Sequence, residues 1–315
     1  MLRIGIAGTG WMGSSRAKVL AATEDVKVVG ALTRTAEKAA NMGVAAFTDY
    51  AQMLDVVDAV VVCLPNAVHS EYALKALKAG KHVLVEYPLC TTVAQIDPLR
   101  QVAQVNNLVL MVGNTIEHEP MFKYVQAARP HLGQILSAAS RVAAYDPGLA
   151  SSWFLNPNIT GPVFAALHYH HIEYYRRFIG DVTHITALDQ CDSTSIIGGV
   201  MSMTHNTRAI STIHWHLIAT PPAPGNNEAH VPRCMWLNGT DDSLTIVENN
   251  GKSNAIWGHG GDGRVDVFDN DDWGLSDSTQ EFITAIRGEF DHIARLDSDI
   301  ATLQVGLRAA EAARK

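Results

Sequence analysis

Apolar and polar positions follow two different rhythms along this chain. Through about residue 115, short apolar runs alternate with stretches of helical period. Residues 2–7, 26–33, 59–64, 83–85 and 108–112 read as strands, and residues 11–22, 36–42, 68–79 and 91–107 as helices. The run AVVVCL at 59–64 has no polar alternation, as expected of a parallel strand buried on both faces. A repeated strand–helix order predicts a parallel sheet covered by helices. Gly80 supplies a helix stop. Thr91 is placed to cap the helix of 91–107, and Pro98 predicts a kink within it.

The rhythm changes after about residue 118. Residues 119–128 and 162–179 read as helices, with Pro162 in a first-turn position. Extended segments follow at 135–144, 183–188, 196–204, 208–219, 231–237 and 243–248, and TPPAPGNN at 220–227 reads as a loop. Helices at 278–287 and 298–314 close the chain. The predicted fold class is therefore α/β: an N-terminal parallel-sheet domain over 1–118, then an α+β domain over 119–315. The second domain is expected to carry a large open mixed or antiparallel sheet. Its terminal helices are free to pack back on the first domain.

Composition narrows the function. A chain of 315 residues with 47% hydrophobic and 18% charged residues can bury two ordinary cores. A net charge of -8 argues against nucleic acid as a partner, because phosphate binding needs clustered Lys and Arg. The N-terminus enters a strand directly and no apolar run is long enough for a bilayer, so a cytoplasmic protein without a membrane partner is expected. Cys63, Cys90, Cys191 and Cys234 are scattered without a C-x-x-C pair and read as reduced, mostly buried thiols. His168 and His170 diverge at i, i+2 on a helix, and His214 and His216 share one strand face, so no metal site is expected.

The strongest motif is Gly8-x-Gly10-x-x-Gly13, between the first strand and the first helix. The first glycine permits the tight turn, the second admits backbone close to a pyrophosphate, and the third lets helix and strand pack closely. The helix N-terminus, with Trp11 and Met12, then offers free N–H groups and partial positive charge to a dinucleotide. NAD sites usually place an acid at the end of the second strand to bind the ribose 2′-hydroxyl. Here the sequence is Thr33-Arg34, with Lys38 one turn on, so NADP is favoured and NAD is left open.

Further motifs carry a resemblance. They are Leu64-Pro65-Asn66 with His69, the block Gly80-Lys81-His82-Val83-Leu84-Val85-Glu86-Tyr87-Pro88, Met111-Val112-Gly113-Asn114, Trp153-Phe154-Leu155-Asn156-Pro157 and the helix of His170. Together they resemble the Gfo/Idh/MocA oxidoreductases, most strongly before residue 120. The resemblance implies a Rossmann domain, an open-sheet second domain that often forms the oligomer interface, and hydride transfer between nicotinamide C4 and a hydroxyl-bearing carbon. The implied substrate is a small sugar, cyclitol, related polyol or hemiacetal, and the implied assembly a homo-oligomer, dimer or tetramer. It implies cofactor contacts at Leu64, Pro65, Asn66, His69, Glu86, Pro88 and Asn114.

Two positions depart from the family pattern. Tyr87 stands where the E-K-P lysine is usual, and Ala166 stands where an Asp precedes His170 by four residues. His170 and Tyr87 are the remaining catalytic candidates: an imidazole titrates near neutral pH, and a phenol donates a hydrogen bond to a substrate oxygen. Trp153, His168 and His171 are candidates to line the substrate pocket. The missing Lys and Asp also suit a different protein, a dinucleotide-binding sensor or regulator without catalysis.

Overall fold

The structure, a computed structural model, describes residues 1–144, 153–190, 197–217, 233–249, 251–258 and 263–314. The loop expected at 220–227 and Cys191 lie outside the described residues. The chain forms two compact units. The first comprises Met1–Thr115 and Gly274–Leu303, the second Ile116–Trp273 and Gln304–Lys315.

The first unit holds strands β1 (Leu2–Ala7), β2 (Val26–Leu32), β3 (Ala45–Phe47), β4 (Ala59–Val62), β5 (His82–Val85) and β6 (Leu110–Val112). They form one parallel sheet in the order β3-β2-β1-β4-β5-β6. Its helices are α1 (Trp11–Ala21), α2 (Ala36–Asn41), α3 (Tyr50–Val56), α4 (His69–Lys78) and α5 (Ile96–Val105). All of β4 is buried, as its unbroken apolar run predicts. One core cluster packs Ile4, Ile6, Leu20, Val61, Leu84 and Met111 with Phe282 and Ile283 from the far end of the chain. The strand order reverses between β1 and β4, which opens a crevice beyond their carboxyl ends.

The second unit contains helices α6 (Pro120–Leu132), α7 (Pro157–Thr160), α8 (Val163–Leu167) and α9 (Tyr169–Phe178). Its strands are β7 (Ile135–Ala144), β8 (Val182–Asp189), β9 (Gly198–His205), β10 (Ile210–Leu217), β11 (Arg233–Gly239), β12 (Ser243–Asn249), β13 (Lys252–Trp257) and β14 (Val265–Asp269). The eight strands form a mixed sheet in the order β14-β13-β12-β11-β7-β10-β9-β8, in which β7 and β10 pair in parallel and the other neighbours antiparallel. Alternate residues face a core shared with α6 and α9, including Met201, Met203, Ile213, Trp215, Met235, Leu237 and Ile246. Helices α10 (Leu275–Ile286) and α11 (His292–Ala313) close the chain. The second domain is therefore not one continuous run from 119: α10 and the start of α11, to Leu303, belong to the first unit.

Local details depart from the sequence reading for physical reasons. Pro98 makes no kink. Helix α5 begins at Ile96, so Pro98 lies in its first turn, where the missing N–H has no intrahelical partner to lose. The cap lies one residue later, where Thr92 and Gln95 form a capping box on a 3-10 turn. The helix expected over 162–179 is two helices, broken at His168, whose ψ of 12° departs from the helical value. Strands β13 and β14 were not legible in the sequence. KSNAIW runs three polar residues into three apolar ones and VDVFD spaces its acids three apart, so neither alternates, and their pairing with β12 and with each other supplies what the pattern does not.

Candidate active site

The glycine loop lies at the β1/β4 switch. Gly8 has a φ of 108°, and a Cβ there would stand 2.5 Å from the Cys63 carbonyl oxygen. At Gly13 a Cβ would fall 1.9 Å from the Gly8 carbonyl oxygen, so helix and loop meet with no room for a methyl group. Gly10 is the opposite case: nothing lies within 4 Å of its missing Cβ. Gly10 caps α1 without any side-chain hydrogen bond, and no acid occupies the first turn. Helix-dipole charge and open space at Gly10 fit a dinucleotide diphosphate. Trp11 is largely exposed and Met12 half-buried beside this opening.

The end of β2 reaches the same loop. The Thr33 hydroxyl lies 3.0 Å from that of Thr9 and accepts a hydrogen bond from the Thr35 amide at 3.1 Å. Arg34 and Lys38 are exposed. No carboxylate follows β2 until Glu37, in the first turn of α2.

A buried histidine ties two further loops together. His69 Nδ1 lies 2.8 Å from the Pro88 carbonyl oxygen, and Nε2 lies 2.6 Å from that of Leu64. Residues 64–66 and 86–88 are therefore joined through one imidazole. Asn66 is buried and Pro65 precedes a short 3-10 turn. Tyr87 is half-buried, and the Tyr87–Pro88 peptide is cis.

Glu86 faces inward rather than toward the switch crevice. Its Oε1 accepts from Arg16 Nε at 2.7 Å, and its residue is only 6% exposed. Arg16 is wholly buried and donates also to Ser278 Oγ and Thr279 Oγ1, both at 2.7 Å, to the Gly113 carbonyl at 3.0 Å and to that of Leu275 at 3.3 Å. Asn114 is likewise turned to the protein: its amide donates to Asp299 Oδ1 at 2.9 Å, and its carbonyl accepts from Arg295 at 3.2 Å. The resemblance had implied cofactor contacts for Glu86 and Asn114. Their side chains anchor the strand ends to α1 and to the returning α10 and α11. Arg16 was missed in the sequence; its signal is a charge three residues past Gly13, on the buried face of α1.

In the second unit, His170 lies in the first turn of α9, with Nδ1 3.5 Å from Glu119 Oε1. Ala166, four residues earlier, is buried in α8. Arg177 pairs with Glu117 at 2.8 Å. Positions 170, 174 and 177 lie on one face of α9, and Tyr174 also lies beside Glu119. Burial, then the Glu119 and Glu248 carboxylates, push the Tyr174 phenol well above its ordinary range.

The other histidine candidates separate. His168 is 2% exposed, its ring 4.9 Å from that of Trp215 and 6.1 Å from that of Phe164. Burial pushes its pKa down to about 3, so the ring is neutral at physiological pH. His168 thus packs in the core under the sheet, while His171 stays half-buried at 5.8 Å from it. Trp153 is 41% exposed, its ring perpendicular to that of Phe154 at 5.5 Å. His214 is exposed beside His216 on the outer sheet face, rings 6.0 Å apart.

Comparison with known proteins bears on the first unit most directly. Residues 2–114 match the Gfo/Idh/MocA oxidoreductase family, with its NAD-binding Rossmann fold. Through this region the chain is similar to that family. A 4-carboxy-2-hydroxymuconate-6-semialdehyde dehydrogenase from a Sphingobium species is 35% identical over 131 residues, covering 39% of this chain and 42% of the relative. A scyllo-inositol 2-dehydrogenase (NADP(+)) from Bacillus subtilis is 31% identical over 152 residues, covering 46% and 45%. The chain therefore spans less than half the length of these curated relatives. The fold extends further. Biliverdin reductase from a Synechocystis species, solved with biliverdin and NADP+, superposes with a TM-score of 0.84 at 20% identity, covering 100% of this chain and 99% of that one. A 3-ketoreductase from Actinomadura kijaniata, solved with NADP and TDP-benzene, gives 0.82 at 19% identity, covering 97% and 95%.

Proposed function

We propose that this protein is an NADP-dependent oxidoreductase acting on a hydroxyl or carbonyl carbon of a small sugar, cyclitol, related polyol or hemiacetal. The uncapped, acid-free N-terminus of α1 at the β1/β4 switch carries the reading. When bound, the nicotinamide accepts or donates the hydride. The protein's part is to bind, orient and move a proton. The first turn of α1, open at Gly10, presents backbone N–H groups to the diphosphate, while Gly8, whose own amide donates to Leu32, and Gly13 keep the turn tight. Tyr87 donates a hydrogen bond to the reacting oxygen, and His170 takes up or returns its proton. Trp153 and His171 contribute to substrate contacts. The relatives named for a semialdehyde and for scyllo-inositol support this substrate class.

Turnover of a panel of sugars, cyclitols and hemiacetals, followed by reduced-nicotinamide absorbance, tests the reading. Binding of neither dinucleotide at millimolar concentration would overturn it. Cofactor choice has its own test. The Thr33 hydroxyl faces the glycine loop, and Arg34 is exposed beside it. The double variant T33D/R34A should weaken NADP binding roughly tenfold or more, since a charge-assisted hydrogen bond is worth about 1.5–3 kcal/mol, and should improve NAD relative to NADP. Unchanged NADP affinity in a fluorescence titration would remove the assignment.

A homo-oligomer also belongs to this proposal. The outer face of the large sheet leaves Leu188, Ile256, Val265 and Val267 exposed, and Thr212, Ala139 and Trp236 lie in one row with Ile256 and Val265. A second copy covers this face. Sedimentation velocity should give a multiple of the chain mass, reduced by Trp236→Glu; a wild-type monomer at tens of micromolar would refute it.

A further inference from the structure

We infer that Glu119 is the carboxylate partner of His170, replacing the acid that α8 lacks at Ala166. The assignment rests on the proton-transfer role proposed for His170. The local sequence explains how Glu119 comes to be there. Pro120 opens α6 and biases the residue before it toward extended backbone; Glu119 has φ -66° and ψ 139°. Its side chain makes no capping bond to its own helix. The carboxylate instead lies against α9, 3.5 Å from His170 Nδ1 and beside the Tyr174 phenol.

His170 has a physical need for such a partner. It sits in the first turn of a ten-residue helix, where the dipole's positive end disfavours an imidazolium. A carboxylate at Nδ1 offsets that cost and sets the ring orientation. Nδ1–H then faces Glu119, and the proton exchanged with substrate travels on Nε2. In the oxidising direction the hydroxyl proton passes to Nε2 as the hydride leaves its carbon for the oxidised cofactor. The resulting imidazolium is balanced by Glu119. Glu117 does not compete for this role, because Arg177 holds it at 2.8 Å. Tyr174, with its phenol pKa raised, stays neutral beside the pair. At 3.5 Å the separation exceeds the roughly 2.7–3.2 Å of a hydrogen bond, as is common for catalytic pairs before substrate closes on them. Glu119 is thus a positioning residue: it acts through His170 and not on the substrate.

Ring NMR of the labelled full-length protein, with His170 assigned from a His170→Asn variant, reads the imidazole pKa directly. Glu119→Gln should lower it by about one unit, and Glu119→Asp should restore most of the shift. The acid limb of the kcat/KM profile should move to lower pH with Glu119→Gln and return with Glu119→Asp, a change that loosened packing alone would not produce. If Glu119→Gln fails to fold, the wild-type ring decides: with a carboxylate partner it titrates above the ~6.5 of an unperturbed histidine. An identical His170 pKa in wild type and a folded Glu119→Gln variant overturns the pairing, as does a wild-type value below that reference. A shifted pKa with no turnover of any substrate upholds the pairing and overturns the oxidoreductase reading instead.

Discussion

Replacing Arg16 with methionine should destabilise the first unit by about 3–5 kcal/mol, the usual result of removing one partner from a buried ion pair. Methionine fills much of the arginine's volume but provides no donors. Glu86 then keeps a carboxylate in a site that is 6% exposed, with its 2.7 Å partner gone. Ser278, Thr279 and the Gly113 carbonyl lose their donor in the same step. The midpoint of urea unfolding measures the loss. The double variant R16M/E86Q should recover a large part of it, because the stranded charge is removed along with its partner. A single variant as stable as wild type would show that the pair contributes nothing. Since Glu86 adjoins Tyr87, the single variant should also weaken turnover more than its stability loss explains.

His170→Ala should lower kcat by about 10²- to 10⁴-fold, the range for losing a positioned proton carrier, with the dinucleotide dissociation constant unchanged. Tyr87→Phe should lower it less, because it removes a hydrogen-bond donor and leaves the proton route in place. Steady-state kinetics beside a cofactor titration separate the two effects. Full turnover in both variants would remove these side chains from the chemistry. Tight dinucleotide binding by the wild-type protein, with no hydride exchange on any substrate class, would favour a sensor, the role that the missing Lys and Asp first suggested.

The cofactor side was legible for a local reason. Gly8, Gly10 and Gly13 act within six residues, and the strand before and helix after them have their own periodicities. The Rossmann order follows from the same repeated units, since right-handed crossovers leave few alternatives. Pro98 and His168 show where local reading fails. Each was assigned within one long helix, and the real ends of that helix changed what the residue does. His168 ends α8 and lies against Trp215.

Glycine spacing, the β4 apolar run and the change of rhythm near residue 118 are contained in neighbouring residues, so the amino-acid order was sufficient for the parallel-sheet fold and for a second sheet after it, β13 and β14 excepted. The Arg16–Glu86 pair joins positions 70 apart, Arg16 meets Ser278 across 262, and Glu119 meets His170 across 51 (170 − 119). No short-range pattern encodes such distances. A charged side chain reads the same whether it ends in water or against its opposite, and only packing of α1, α9 and α10 shows which carboxylates are held inside and which imidazole has one beside it.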